Sequence, residues 1–290
     1  MRRMGRGMQQ TVPNTRAGYS SAKVEGNVMS CIERAWVGLR ESLARYRAEI
    51  GVRDEAVELQ RRWLGDLRGK RVLEIGCGAG NILTMEIARA AGEYVGVDLL
   101  EDRVRKLKEK LEAAGLEHAR ARTGDVLKMD GTEGVFDVIY AGSVLHAFAD
   151  IDGAARALGR MLKPGGLLVA WEPMNTGWAV KLIRGLYRPF QPNRRWHHPL
   201  RVSDVGKWGD HFRLEGARGL LGWSKWGYPL YLLPGCRRLG VWAGRRLRRL
   251  DAGRASLRGC HQVVMRLVAG SEEIEKTREE GQKVGSGWSL

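Results

Sequence analysis

The chain has 290 residues, 43% of them hydrophobic, which is enough to bury one full core and leave extensions on either side. Its 49 Lys and Arg residues outnumber its 33 Asp and Glu residues, so the formal net charge is +16. No apolar run approaches the roughly 20 residues of a membrane-spanning helix, and no leader peptide is recognisable, so we expect neither secretion nor membrane spanning. The four cysteines are scattered without a C-x-x-C pair, which favours a reducing cytoplasm over disulfides or a metal site.

Composition and hydrophobic periodicity divide the chain into segments. We expect a mobile basic N-terminus, a cap of two or three helices, an α/β domain with an insertion before its last strand, and a disordered charged tail. The predicted boundaries are 1–20, 21–66, 67–270 with the insertion at about 219–258, and 271–290. Around the insertion we expect a helix over 201–208, a strand over 212–217 and a last strand over 260–268.

Residues 72–80 read VLEIGCGAG, a buried strand that runs into a turn rich in glycine. Glycines at these positions permit positive φ values and let the backbone approach a ligand closely. A helical pattern follows over 81–91, so its N-terminal amides face the loop. Asp98 ends the next predicted strand, where its carboxylate can accept hydrogen bonds from the hydroxyls of a ribose. The pattern predicts a site for a nucleoside cofactor.

The spacing of the glycines distinguishes between three classes of loop that bind nucleosides or nucleotides. A phosphate-binding P-loop requires a Lys-Ser/Thr pair after its last glycine, and Asn81-Ile82 stands there instead. A dinucleotide loop requires a glycine at position 81, which is also Asn. The G-x-G-x-G spacing with Glu74 inside the strand resembles motif I of the class I S-adenosylmethionine-dependent methyltransferases.

The resemblance continues in order along the chain and covers roughly residues 67–175. The segments that match the family's later motifs are 94–98, 123–126, 136–140, 143–146 and 162–169. It implies a Rossmann-like sheet of seven mostly parallel strands with helices on both faces, and S-adenosylmethionine as cofactor. It assigns cofactor contacts to Glu74, Gly76, Cys77, Gly78, Gly80, Asp98, Leu99, Gly124, Asp125, Val126 and Ser143. For Cys77 a structural role is favoured, because the loop needs a small apolar residue at this position.

Few residues are candidates for catalysis or substrate binding. His146 follows the fourth predicted strand, beside the position where related enzymes present the methyl group, and is either a general base or a histidine bonded to backbone. Glu172 ends the fifth strand, at the sheet edge where ligands bind in open α/β folds. The candidate substrate contacts are Tyr19, Glu172, His197, His198, Arg201, Trp223 and Trp226. No metal is expected.

The predicted insertion combines aromatic, apolar and basic residues. Leu239, Trp242, Ala243, Leu247 and Leu250 recur at helical spacing, and arginines lie mostly on the opposite face; these arginines are Arg237, Arg238, Arg245, Arg248 and Arg249. Such a helix either lies in the interface of an anionic membrane or packs on the sheet with its arginines in water. We therefore leave open a peripheral contact with the inner membrane surface.

Three functions fit these patterns. The first is methylation of a small hydrophobic or lipid-like molecule, as in the quinone, sterol and natural-product methyltransferases that the chain resembles. The second is an RNA- or protein-modifying methyltransferase that docks through its basic surface, although residues 141–144 lack the Asn/Asp-Pro-Pro-aromatic run of enzymes that methylate base amines. The third is a non-catalytic scaffold, which the intact glycines, Asp98 and Asp125 disfavour. We expect the first, with nucleic-acid substrates disfavoured.

Overall fold

A seven-stranded sheet forms the centre of the computed structural model. The structure describes residues 31–129, 135–177, 181, 185, 198–252 and 257–270. The strands are β1 (Arg71–Ile75), β2 (Glu93–Asp98), β3 (Ala119–Thr123), β4 (Phe136–Gly142), β5 (Leu162–Pro173), β6 (Phe212–Leu220) and β7 (Gln262–Ala269). Their order in the sheet is β3-β2-β1-β4-β5-β7-β6. Only β7 runs antiparallel to its neighbours, β5 and β6. The predicted seven-stranded, mostly parallel sheet is confirmed.

Helices cover both faces of this sheet. They are α1 (Cys31–Glu49), α2 (Val52–Leu64), α3 (Ile82–Ala90), α4 (Glu101–Ala113), α5 (Ile151–Met161), α6 (Val202–His211), α7 (Tyr228–Leu232) and α8 (Arg237–Ala252). On one face, α3 and α4 pack on strand residues such as Val72 and Val138. On the other face, α5 and α6 pack on residues such as Leu73 and Ile139. Alternate residues of each strand enter opposite cores because side chains alternate across a sheet.

The observed bounds of β6, β7 and α6 differ from the bounds predicted from the sequence. The strand expected over 212–217 extends to Leu220, because Leu220 pairs with Gln262 at the start of β7. β7 begins at Gln262 rather than at Cys260, and helix α6 extends to His211 rather than ending at Trp208. The segments expected to be mobile or disordered, 1–20 and 271–290, lie outside the described residues.

The insertion leaves the sheet between β6 and β7. Leu220 and Pro173 both pair with Gln262, so the insertion emerges beside the carboxyl end of β5. It contains a short helical turn (Ser224–Gly227), α7 and α8. This is the same edge at which β1 and β4 end, because β1, β4 and β5 are parallel neighbours. The insertion is therefore placed at the edge where ligands bind in open α/β sheets.

The described part of the N-terminal cap packs on the insertion. Tyr46 and Ile50 of α1 form a small core with Leu220, Tyr231 and Val264. The Tyr46 hydroxyl donates to the Ser224 carbonyl oxygen at 2.5 Å, which joins segments far apart in sequence. Among the helices of the described residues, none is both long enough and apolar enough to cross a membrane.

Candidate cofactor and active site

The glycine loop after β1 adopts the backbone that its sequence predicts. Gly76, Gly78 and Gly80 have φ values of 67°, 54° and 71°, a region that residues with a Cβ rarely adopt. A Cβ at Gly76 would lie 2.9 Å from Val144 Cγ2, and one at Gly80 would lie 2.7 Å from Leu107 Cδ1. Gly76 and Gly80 thus allow close packing, whereas a Cβ at Gly78 would have no contact shorter than 4.0 Å. The backbone at Gly78 is accessible to a ligand.

The Asp98 carboxylate joins this loop to the end of β2. It accepts the backbone N–H of Gly78 at 2.9 Å on one oxygen and that of Leu100 at 2.9 Å on the other. A carboxylate has about four acceptor positions, so two remain for the hydroxyls of a ribose. Leu99, the next residue, is 65% exposed and presents an apolar side chain beside the carboxylate. Asp98 and Leu99 thus combine an acceptor with an apolar surface.

Glu74 lies beneath the loop rather than at its surface. Its carboxylate is 2% exposed and accepts hydrogen bonds from Thr84 Oγ1 at 2.9 Å and the Tyr94 hydroxyl at 2.8 Å. Burial raises the pKa of Glu74 to about 7, against the opposing effect of these two hydrogen bonds. The structure therefore gives Glu74 a supporting contact with α3 and β2. Cys77 is also buried, and burial raises the pKa of its thiol, so it packs as a small apolar residue.

The end of β3 lies next to Asp98. The Gly124 N–H donates to the Asp98 carbonyl oxygen at 3.0 Å, which brings the two strand ends together. Asp125 caps the helical turn Val126–Lys128 by accepting the Leu127 N–H at 3.1 Å. The predicted cofactor residues at 98–99 and 124–126 are therefore adjacent.

The buried carboxylate of Glu172, which was predicted from the sequence to contact a substrate, holds the turn after β4. Glu172 is fully buried and accepts backbone N–H groups from Val144 at 2.8 Å, Leu145 at 2.7 Å and His146 at 3.3 Å. Its second oxygen also contacts His146 Nδ1 at 2.8 Å. Glu172 has no exposed surface, so its observed role is to hold this turn, and its contact with a substrate stays a prediction.

The contact with Glu172 fixes the His146 ring. A carboxylate only accepts hydrogen bonds, so Nδ1 carries the hydrogen and the basic atom of the neutral ring is Nε2. His146 is 8% exposed, and Ser143 in the same turn has the unusual φ of 63° for a residue with a side chain. Val144 lies against the glycine loop at Gly76. The turn that carries His146 therefore packs against the loop that begins at the end of β1.

The structure also brings His198 to this turn. The His198 N–H donates to the His146 carbonyl oxygen at 3.1 Å, and Leu200 forms a parallel bridge with Met174 just after β5. Arg201 is exposed and begins α6, where its N–H donates to Asp204 at 2.8 Å. Two other predicted substrate contacts, Tyr19 and His197, lie outside the described residues.

Trp223 and Trp226 lie on the insertion and are 48% and 47% exposed. Asp251 holds this turn to α8, accepting the Trp223 N–H at 2.6 Å and the Ser224 hydroxyl at 2.6 Å. Sequence reasoning missed Asp251, although it is the only acidic residue of an arginine-rich helix, which is a usable signal.

Within the described ranges, no group of three or more His, Cys, Asp or Glu side chains could hold a metal ion.

The face of α8 differs from the amphipathic prediction. Leu239, Trp242 and Leu250 are 50%, 64% and 55% exposed, so they do not pack on the sheet. Arg237 pairs with Glu49 at 2.7 Å and Arg248 with Glu55 at 3.1 Å, so these two arginines contact acidic residues of α1 and α2. The correction has a packing reason: Gly240 and Gly244, not the leucines, allow the close approach to Tyr231 and Tyr46.

Residues 73–168 match the sequence profile of a family described as a methyltransferase domain. A ubiquinone biosynthesis O-methyltransferase of Methylococcus capsulatus is 33% identical over 100 residues, which cover 34% of this chain and 42% of that protein. A demethylmenaquinone methyltransferase of Thermus thermophilus is 33% identical over 135 residues, which cover 46% of this chain and 59% of that protein. The chain therefore spans less than two thirds of these relatives.

Solved structures share the fold at low sequence identity. The structure of the [4+2]-cyclase SpnF has a TM-score of 0.53 and 17% identity, and the match covers 75% of this chain and 81% of that one. The strand order, the glycine loop followed by Asp98, and the matching domain profile agree with one another. Residues 73–168 thus match a methyltransferase domain profile, and they lie in a seven-stranded sheet whose fold is shared with the solved structures.

Proposed function

We propose that this protein transfers a methyl group from S-adenosylmethionine to a small hydrophobic or lipid-like molecule. The observation that carries the proposal is the arrangement at the carboxyl edge of the sheet. There the accessible backbone of Gly78, the Asp98 carboxylate and the capped Asp125 turn are adjacent. The relatives named for ubiquinone biosynthesis and demethylmenaquinone support a small lipid-like acceptor.

The residues present fit the cofactor. Asp98 would accept the ribose hydroxyls, Leu99 would cover a face of the adenine, and the turn at 124–126 would bind its edge. The three positive-φ glycines would leave room for the amino-acid part of the cofactor beside β1. When bound, S-adenosylmethionine supplies an electrophilic methyl group, and the protein contributes by aligning the acceptor with it.

His146 is the candidate general base of the proposed reaction. Its ring is held by Glu172, which fixes Nε2 as the basic atom, and it lies in the turn that contacts the glycine loop. Glu172 is thus a positioning residue for His146. Ser143 and the neighbouring segment at His198 would border the same space.

The insertion supplies the candidate substrate and membrane surface. Trp223 and Trp226 are half-exposed at the carboxyl edge, where they would contact a hydrophobic acceptor. The exposed Leu239, Trp242 and Leu250 on α8 support a peripheral membrane contact, since apolar side chains beside arginines suit an anionic interface. The cysteine pattern favours the cytoplasmic side of that membrane.

An RNA- or protein-modifying role gains no support from the relatives, which are named for quinone chemistry. A role without methyl transfer deserves a direct test, because a protein named as a cyclase shares the fold.

The proposal is tested by cofactor binding and by product formation. We expect Asp98→Ala to weaken S-adenosylmethionine binding by about 1–3 kcal/mol in calorimetry, because buried ribose hydroxyls would lose their acceptor. The matched control is Asp102→Ala on the exposed start of α4, for which affinity should remain unchanged. Unchanged affinity in Asp98→Ala would contradict the proposed site.

Product formation is followed by an untargeted mass comparison of extracts from cells that express each form. The parent should accumulate a hydrophobic compound heavier by one methylene than a compound it depletes, and Asp98→Ala should not. His146→Gln should retain cofactor binding and lose most of the product. Tight cofactor binding by the parent with no methylated product in any extract would favour a non-methylating role.

A further inference from the structure

A cleft of about 1050 Å³ lies between α8 and the junction of α1 with α2, and it is lined by basic residues. The arginines of its wall are Arg237, Arg238, Arg245, Arg246, Arg248 and Arg249. The rest of the wall consists of the uncharged residues Ala48, Ile50, Gly51, Val241 and Trp242 and the acidic residues Glu49 and Asp54. The cleft is formed by the insertion and the cap, apart from the glycine loop.

The acidic residues near the cleft are already neutralised. Glu49 pairs with Arg237 at 2.7 Å and accepts the Tyr231 hydroxyl at 2.8 Å, and these contacts lower the pKa of Glu49, so it stays ionised. Asp54 pairs with Arg53 at 3.5 Å. Glu55, just outside the wall, pairs with Arg248 at 3.1 Å and with Arg218 at 3.6 Å.

Three arginines of the wall are left with no acidic partner. Arg245 donates to the Glu49 carbonyl oxygen at 3.0 Å, and its charge also helps to lower the pKa of the Glu49 carboxyl. Arg238, Arg246 and Arg249 have neither a hydrogen bond nor an ion pair in the part of the chain that the structure describes. Three uncompensated guanidinium groups around one concave space repel one another unless an anion lies between them.

We infer that this cleft is a binding site for a phosphate or diphosphate group. Guanidinium groups present paired donors that match two oxygens of one phosphate, and three of them suit a ligand with at least two negative charges. The cleft also includes Trp242, which is 64% exposed, so an apolar chain attached to the phosphate would have a surface to lie on. The chemistry is that of a lipid phosphate headgroup or of a free phosphorylated metabolite.

The test compares two probes and two matched variants of the full chain at physiological salt. The probes are inorganic pyrophosphate, measured by calorimetry, and phosphatidylcholine vesicles with or without phosphatidic acid, measured by flotation. The cleft variant is Arg238→Ala, Arg246→Ala, Arg249→Ala. The control variant is Arg62→Ala, Arg89→Ala, Arg156→Ala, which removes the same charge from exposed helix positions elsewhere.

Saturable binding of either probe by the parent and the control, weakened at least about tenfold in the cleft variant, supports the site. Binding of pyrophosphate identifies a free phosphorylated ligand, whereas binding only of vesicles that contain phosphatidic acid identifies a lipid headgroup. Equal weakening in both variants, or no binding by the parent, overturns the inference, because general surface charge then explains the result. S-adenosylmethionine affinity, measured in parallel, should be unchanged in both variants, which separates this outcome from failure of the proposed methyl transfer.

Discussion

Two buried glutamates near the candidate site have different environments and therefore different roles. Glu172 accepts three backbone N–H groups and contacts His146, so its negative charge is well solvated by the protein. Glu74 receives only two hydroxyl groups in a fully buried position, so its charged form is disfavoured. One carboxylate thus shapes the turn after β4, and the other supports the glycine loop.

The raised pKa of Glu74 predicts a dependence of stability on pH. The folded value of about 7 exceeds the ordinary value of 4.5, so the native state holds the proton where the unfolded chain has lost it. The free energy of unfolding should therefore fall by about 3 kcal/mol as the pH rises from about 4.5 to about 7. Glu74→Gln, which keeps the shape and cannot ionise, should lack this fall.

Urea unfolding of the parent and of Glu74→Gln at several pH values between 4.5 and 8 measures the difference. Histidines that titrate in the same range affect both proteins equally, so the difference between the two curves isolates Glu74. Parallel curves would show that Glu74 titrates in the folded protein as it does in the unfolded chain.

At the scale of elements, small residues join the insertion to the cap. Gly227, Gly240 and Gly244 pack around the Tyr46 hydroxyl and the backbone of Tyr231. The Tyr46 hydroxyl is in turn bonded to the Ser224 carbonyl oxygen. The backbone of α8 thus lies close to α1, and a larger residue at Gly244 would prevent this approach.

We expect Gly244→Ala to destabilise the protein by about 1–2 kcal/mol. A Cβ there would clash with Tyr46 Oη and lie 2.8 Å from Ile50 Cγ2, and this overpacking outweighs the gain of up to about 1 kcal/mol in helix propensity. The matched control is Gly206→Ala in α6, where a Cβ would have no neighbour within 4 Å. Gly206→Ala should stabilise by about 0.5–1 kcal/mol. Denaturant unfolding measures both, and a stabilised Gly244→Ala variant would show that α8 does not pack closely on α1.

At the scale of the whole molecule, exposed tryptophans and arginines occur together on the insertion. The formal charge of +16 is spread over the chain, but exposed tryptophans among the described residues occur at 223, 226 and 242, all within the insertion. The insertion that carries them emerges beside the carboxyl end of β5. A membrane at this surface would bring a lipid-like acceptor to the edge where we propose methyl transfer.

The membrane contact predicts flotation of the parent with anionic vesicles at physiological salt. Leu239→Ala, Trp242→Ala, Leu250→Ala should reduce the floated fraction several-fold, because apolar insertion adds to the attraction of arginines for anionic lipid. The control, Val37→Ala, Val202→Ala, Leu214→Ala, removes comparably exposed side chains away from the insertion and should float like the parent. A parent that stays in the soluble fraction would contradict the membrane contact.

The glycine loop, Asp98 and the individual strands of the parallel sheet were predictable from the sequence, because each depends on residues close together in the chain. Positive φ values require glycine locally, and buried parallel strands read as apolar runs. The bounds of β6 were less predictable, since its last residues are fixed by pairing with β7.

The environment of charged side chains was decided only by tertiary structure. Glu172 contacts His146, and Arg248 contacts Glu55, across long stretches of chain that no local pattern connects. For the same reason, helical spacing showed that α8 has two faces but did not show that Gly240 and Gly244 form the packed one. The sequence determined which chemical groups this protein carries, and the packing of distant segments determined which of them are buried, paired or left exposed.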